Sequence, residues 1–272
     1  MKLVKEVVRE NANIKVDRPK EAGQILEEQI ETGLIEFRRS DSGLFLSALA
    51  AGMEIGFSLL LMGVIYNLFE GDIKSGTLTL LLALSYTLGF IFVILGKSEL
   101  FTEHTALAVI PVLNGSESLK SLLKLWCLVY AGNIIGGTII AWILTQLGPT
   151  IGFMDHKDFS FFANELTKYN WSTIFFSSIL AGWMMGLLGW LVSSSQDSLT
   201  RVFMIILVTG VISLGGFHHC IIGSIEVISG VISGEAITWA DYGKFQLWAT
   251  LGNAIGGVVF VALLKFSHAK RT

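Results

Sequence analysis

The stretch Gly215-Gly216-Phe217-His218-His219-Cys220-Ile221-Ile222-Gly223 decides how this chain is read. It lies inside a long apolar segment, residues 202–234. Adjacent glycines mark where a helix unwinds most easily. Two histidines follow at once. An ionisable group at membrane depth is costly, so it faces a pathway or a partner. A second interruption, Gly96-Lys97-Ser98-Glu99-Leu100-Phe101-Thr102-Glu103-His104, occurs earlier in another apolar segment. The two breaks are expected to meet at mid-membrane and form one site.

The rest of the composition agrees with a membrane setting. Of 272 residues, 52% are hydrophobic and 15% charged, too apolar for a soluble domain. The apolar runs reach the ~20 residues that span a bilayer. Net charge is -3 and no basic block is present, so no nucleic-acid partner is expected. Cys127 and Cys220 sit in apolar runs and read as small core residues rather than a disulfide. Residues 1–41 are polar and charged, without the apolar core of a cleavable leader. Within them Ala22, Ile25, Leu26, Ile30, Leu34 and Ile35 fall near helical spacing. That is an amphipathic helix, lying on membrane lipid or simply leading in solvent to the first span.

The spans follow in order. The first covers residues 42–69 and holds one acid, Glu54, which lines a pore or reaches a neighbouring helix. The second segment, residues 75–113, would be ~58 Å long as a straight helix. That is too long for one span and too short for two, so a broken span is expected. Span three is residues 122–146, followed by a polar loop, residues 148–170. Span four is residues 171–195. Segment five, residues 202–234, is again too long and interrupted. Span six is residues 245–264. Gly-Asn-x-x-Gly-Gly occurs twice, around Asn133 in the third span and Asn253 in the sixth. Each copy follows a broken segment, so the chain reads as two halves of three spans. Three is odd, which inverts the second half. The fold expected is all-α and integral to the membrane, with six spans, an inverted 3+3 repeat and broken second and fifth spans. The basic residues of the N-terminal region, with Lys120, Lys124, Arg201, Lys265, Lys270 and Arg271, fall on one side of it. Lys74, Lys157, Lys168 and Lys244 fall on the other. That bias places both termini in the cytoplasm. The division expected is a cytoplasmic N-terminal region, 1–41, a transmembrane channel domain, 42–266, and a cytoplasmic tail, 267–272.

Half-helices starting near Thr102 and His219 would aim their partly positive ends at one point, which suits a small anion. Thr102 is placed to hydrogen-bond the His219 imidazole and fix its tautomer. His218 points ~100° away from its neighbour in a helix, so the two need not share a cavity. Lys97, Glu99, Glu103 and His104 either line a vestibule or compensate one another's charge. A membrane haem protein with His104, His218 or His219 as axial ligands is a competing reading. No nucleophile–base set or metal-ligand spacing suggests an enzyme, and no cofactor or metal is expected.

The pattern Glu99-Leu100-Phe101-Thr102, the paired Gly-Asn motifs and Gly216-Phe217-His218-His219 resemble the formate/nitrite transporter (FNT) family over residues 42–266. More narrowly, Leu100-Phe101-Thr102-Glu103-His104-Thr105, the run Ala108 to Leu113 and Gly223-Ser224-Ile225-Glu226 resemble its YfdC-type inner-membrane members. The resemblance implies an aquaporin-like protomer in a homopentamer of the bacterial inner membrane, with one pore per protomer for small monovalent anions or their weak acids. It implies that His219 is the central histidine and Thr102 the broken-loop threonine. It implies apolar constrictions at Tyr86, Phe90, Leu100 and Ile212, and a basic residue at Arg201. His218, Cys220 and Gly223 depart from the Glu, Ser and Asn of formate channels, which leaves a neutral-solute conduit as the alternative.

Overall fold

A computed structural model describes residues 20–234 and 237–270, and no strand occurs among them. Lys2, Lys5, Arg9, Lys15, Arg18 and Arg271, used above for orientation, lie outside the described residues. The elements in order are α1 (Ala22–Arg38), α2 (Asp41–Phe69), α3 (Ser75–Gly96), α4 (Phe101–Leu107), α5 (Val109–Leu113), α6 (Leu119–Ile151), α7 (His156–Thr167), α8 (Trp171–Ser194), α9 (Ser198–Leu214), α10 (Ile222–Ile232) and α11 (Trp239–Gly257). A π-helical turn (Val258–Leu263) joins α11 to α12 (Leu264–Ala269).

Helices α2, α3, α6, α8 and the run Trp239–Ala269 are long and apolar enough to cross a membrane. Their outer faces expose Leu46, Leu80, Trp142, Phe176 and Leu247, side chains that hydrocarbon accepts and water does not. The fifth segment is divided. At 1.5 Å per residue α9 is ~26 Å and α10 ~17 Å, each short of a ~30 Å bilayer core.

The two halves repeat one packing scheme. Helix α2 packs on α6, and α8 packs on α11. A Cβ on Gly52 would press into the Asn133 carbonyl; one on Gly182 would press into the Asn253 carbonyl. Only glycine lets these backbones come so close. The halves also exchange parts, since α4 packs on α8 while α10 packs on α6. Each broken segment is thereby held by the opposite half.

Several expectations need correction. Helix α6 runs to Ile151, and the polar loop after it contains α7, with buried Phe159, Phe162 and Ala163 packed beneath α10. The first break is shorter than the charge pattern suggested, because Thr102, Glu103 and His104 are already helical. The second half-helix begins at Ile222, three residues after His219. Helix α1 buries Ile25, Leu26, Gln29 and Gly33 against α4, α5 and α8 rather than lying free. The amide of Gln29 donates to the Gly189 carbonyl at 3.2 Å. Ile35 is exposed, contrary to its place in the apolar stripe. Cys220 is buried, but Cys127 faces outward on α6.

Candidate functional site

The two breaks are built alike. Helix α3 ends on Lys97, a left-handed residue at φ 57°, and helix α9 ends on Gly216 at φ 61°. In each case the next N–H reaches five residues back: Ser98 donates to the Val93 carbonyl and Phe217 to the Ile212 carbonyl, both at 3.0 Å. That is a C-terminal helix cap whose left-handed position favours glycine. The first break places lysine there at a cost of roughly 1–2 kcal/mol.

The segments after the caps are extended, so their backbone groups need partners in a membrane. The repeated asparagines supply them. Asn133 Oδ1 accepts from the Phe101 N–H, and its Nδ2 donates to the Ala48 and Glu99 carbonyls, all at 2.8 Å. Asn253 Oδ1 accepts from the Cys220 N–H at 2.8 Å, and its Nδ2 donates to the Ser178 carbonyl at 2.7 Å and the His218 carbonyl at 3.0 Å. Both asparagines are fully buried and staple the breaks through these bonds.

The staples bring Thr102 and His219 together across 117 residues of chain, with Thr102 Oγ1 2.9 Å from His219 Nε2. The Ile221 N–H donates to His219 Nδ1 at 3.3 Å. Nδ1 is therefore the acceptor, and the neutral ring carries its hydrogen on Nε2, directed at Thr102. The Thr102 hydroxyl hydrogen is left for another acceptor. Phe90 stands edge-on to His219 with ring centroids 5.3 Å apart, and Phe90 and Leu100 are fully buried.

His218 has a different place. Its Nε2 donates to the Leu166 carbonyl at 3.1 Å, and its Nδ1 accepts from the Ser177 hydroxyl. Ser177 Oγ also accepts the His218 backbone N–H at 3.1 Å. Both ring nitrogens are spent on structure and the side chain lies off the cavities, against its reading as a pathway residue. His219 likewise has no open nitrogen, so the haem reading finds no axial ligand in the pair.

Two cavities flank the Thr102–His219 contact. One, of about 240 Å³, lies beside α7 and is lined by Tyr86, Ile212, Phe217, His219 and Glu226. The other, of about 550 Å³, lies beneath α1 and is lined by Glu36, Arg39, Lys97, Glu103 and Arg201. Helix α3 touches both. Its Thr79, Leu82 and Tyr86 face the first, and Ile94 and Leu95 face the second. Tyr86 and Ile94 are ~12 Å apart along the helix, and buried Phe90 occupies the interval.

The charged cluster is divided between the two expected roles. Glu99 joins His104 Nε2 and Arg39 Nη1, and Arg39 also reaches Glu36 at 2.9 Å. This network fastens α1 to the first break. Lys97 and Glu103 open on the α1-side cavity, which Glu36, Arg39 and Glu99 also line. Arg201 lies there too, its Nη2 donating to the Ser195 carbonyl at 3.2 Å. Glu54 Oε2 is buried without a hydrogen-bond partner and lines neither cavity. At the mouth of the α7-side cavity, Glu165 and Tyr169 line the wall. Lys168 pairs with Glu165 at 2.6 Å and stands over the Tyr169 ring. These mouth residues were not legible from spacing, since α7 itself had been read as loop. Glu226, the one acid in its apolar run, is the signal in the sequence that points to the wall of this cavity.

A model of the formate/nitrite transporter family matches residues 23–267. The chain belongs to the formate/nitrite transporter family. Among its relatives, the inner membrane protein YfdC of Escherichia coli K12 is 34% identical over 255 residues, 93% of this chain and 79% of that one. The formate channel FocA of Haemophilus influenzae is 25% identical, covering 81% of this chain and 84% of that one. An FNT family ion channel of known structure superposes with a TM-score of 0.79 at 21% identity, over 90% of this chain and 98% of that chain. A pentameric formate channel with formate bound gives 0.72 at 23% identity, over 84% and 97%. The resemblance to this family and to its YfdC-type members is thus borne out, and the fold is that of an FNT channel.

Proposed function

We propose that this chain is a membrane channel for small monovalent anions or their weak acids, with a pore in each protomer and His219 at its centre. The observation that carries the reading is the course of α3: one cavity along its first half, another along its second, and Phe90 with the Thr102–His219 contact between them. That is the arrangement of a conduit with a central constriction. The relatives' names, a formate channel and a nitrite transporter among them, support the solute class.

In this reading the protomer is aquaporin-like, with six spans related as an inverted 3+3 repeat, and five copies form the channel. The matching caps and staples of the two halves support the repeat. The channel domain is residues 42–266, between an N-terminal region, 1–41, and a tail, 267–272. Both termini lie in the cytoplasm, which puts the α1-side cavity on the inner face of the bacterial inner membrane. No chemical step of an enzyme is assigned.

The residues suggest a course for the solute. The approaches carry both signs of charge: Lys168 at one mouth is paired with Glu165, and Lys97 and Arg201 share the other cavity with Glu36, Glu99 and Glu103. Tyr86 and Ile212 narrow the α7-side approach. At the centre the Thr102 hydroxyl hydrogen meets the solute while its oxygen accepts from His219. A bare charge is costly in the Phe90–Leu100 stretch, so the solute crosses there as its neutral acid. The test is uptake of formate and nitrite into proteoliposomes from pH 5 to 8. Flux above protein-free vesicles, lost in His219→Asn, is expected. Flux equal to that of empty vesicles for both solutes at every pH overturns the reading.

A further inference from the structure

Glu226 lies one turn into α10, a helix whose other residues carry no charge. It is 5% exposed, and what it exposes opens on the α7-side cavity that His219 also lines. Among the described residues no hydrogen bond or ion pair reaches its carboxyl. Its oxygens are nonetheless not sealed away, in contrast to Glu54 Oε2. A carboxyl with no protein partner, buried in the membrane and aimed into a cavity, is built to meet what occupies that cavity. A packing role would have been met more cheaply by an apolar residue.

The surroundings narrow what it meets. Tyr86 comes from α3, His219 from the second break, and Glu165 and Tyr169 from α7 and its C-terminal end. Glu165 is already paired with Lys168. Of the other elements packed on α10, helices α2, α6 and α11 bring no ionisable group to this cavity. No cation is therefore placed beside Glu226 to hold it as a carboxylate. A neutral carboxyl offers one donor, which an oxyanion can accept, and one acceptor, which can take the hydroxyl of the neutral acid. An ionised one offers acceptors alone and repels an anion.

We propose that Glu226 selects the protonation state of the solute: neutral, it hydrogen-bonds a small oxyanion or its acid beside His219, and ionised, it bars the anion. Glu226 is then a second titrating group on the pathway, on the α7 side of the constriction. The proposal rests on the channel reading above.

The experiment compares formate and nitrite uptake by the parent, Glu226→Gln and Glu226→Asp from pH 5 to 8, after size exclusion confirms that each variant assembles as the parent does. Gln keeps the neutral shape and cannot ionise. The ratio of E226Q to parent flux is expected to rise from near unity at pH 5 to about tenfold at pH 8, the scale on which one fixed charge alters anion entry. E226D, which still titrates, is expected to follow the parent's profile. Infrared difference spectra on adding formate at pH 5 supply a readout independent of flux. A shift in a protonated-carboxyl C=O band, absent in E226Q, is expected. Parallel pH profiles of parent and E226Q, with the band unmoved, overturn the role of Glu226 and leave the channel reading standing. Absence of flux in the parent with the band shift present overturns the channel reading and retains the Glu226 site.

Discussion

Replacing Asn253 with leucine tests how the second break is held. Leucine matches asparagine in size but makes no hydrogen bond. Three buried backbone groups lose their partner: the Cys220 N–H and the carbonyls of Ser178 and His218. Each unsatisfied group costs ~1–3 kcal/mol, so the sum is roughly 3–9 kcal/mol, with the lower half favoured because the three share one site and relax together. Asn253→Asp keeps the acceptor for Cys220 but loses the donors to both carbonyls, a loss of roughly 2–6 kcal/mol. For a chain of this size each kcal/mol lowers an unfolding midpoint by about 2–4 °C, so the lower half of that range, about 3–6 kcal/mol, should lower the leucine variant's midpoint by roughly 6–24 °C. The assay is loss of the assembled size-exclusion peak after fixed heating steps in detergent, with parent, Asp and Leu variants side by side. The order expected is parent, then Asp, then Leu, and Asn133→Leu should match Asn253→Leu because it breaks the equivalent three bonds. A leucine variant with the parent's midpoint would refute the stapling role, and a marked difference between the two asparagines would refute the equivalence of the breaks.

Three further outcomes are expected. Thr102→Ala should lower formate flux about fivefold, the worth of one hydrogen bond of ~1 kcal/mol, and less than His219→Asn does; the reverse order in a proteoliposome uptake assay would exchange their roles. Gly182→Val should prevent assembly, because α8 and α11 touch through the Asn253 carbonyl at that point, whereas Gly189→Ala, which meets open space, should assemble normally on size exclusion. Burial, and then the nearby Glu99, push the Glu36 carboxyl above the 4.5 of a free glutamate. A raised carboxyl takes up its proton more readily in the docked state, so its contribution is full below 4.5 and is lost as pH rises through the raised value. Limited proteolysis should therefore cleave α1 more readily at pH 8 than at pH 4.5, and Glu36→Gln should flatten that difference.

The sequence by itself determined the membrane setting, the two broken segments and the recurrence of the Gly-Asn motif after each of them. These are one-dimensional properties: run length, a charge inside a run, and a motif recurring in the same order. The same evidence located Thr102 and His219, because polar groups at membrane depth are rare enough to stand out singly. Tertiary structure decided what these residues touch. His218 and His219 are adjacent and chemically identical in sequence, yet one is tied to Ser177 and Leu166 while the other reaches Thr102. Their directions depend on extended backbone whose course is set by Asn253, a residue 33 positions away from Cys220. The asparagines stand out in the sequence as a repeated motif. Only the fold reveals that the groups needing satisfaction were backbone amides and carbonyls of the breaks. Helix α7 was hidden because its apolar face covers α10, so a short amphipathic segment passed for loop. Glu226 needed the structure most of all. A single acid in an apolar helix can pair, pack or face a cavity, and only the arrangement of α3, α7 and α10 around it chooses among the three.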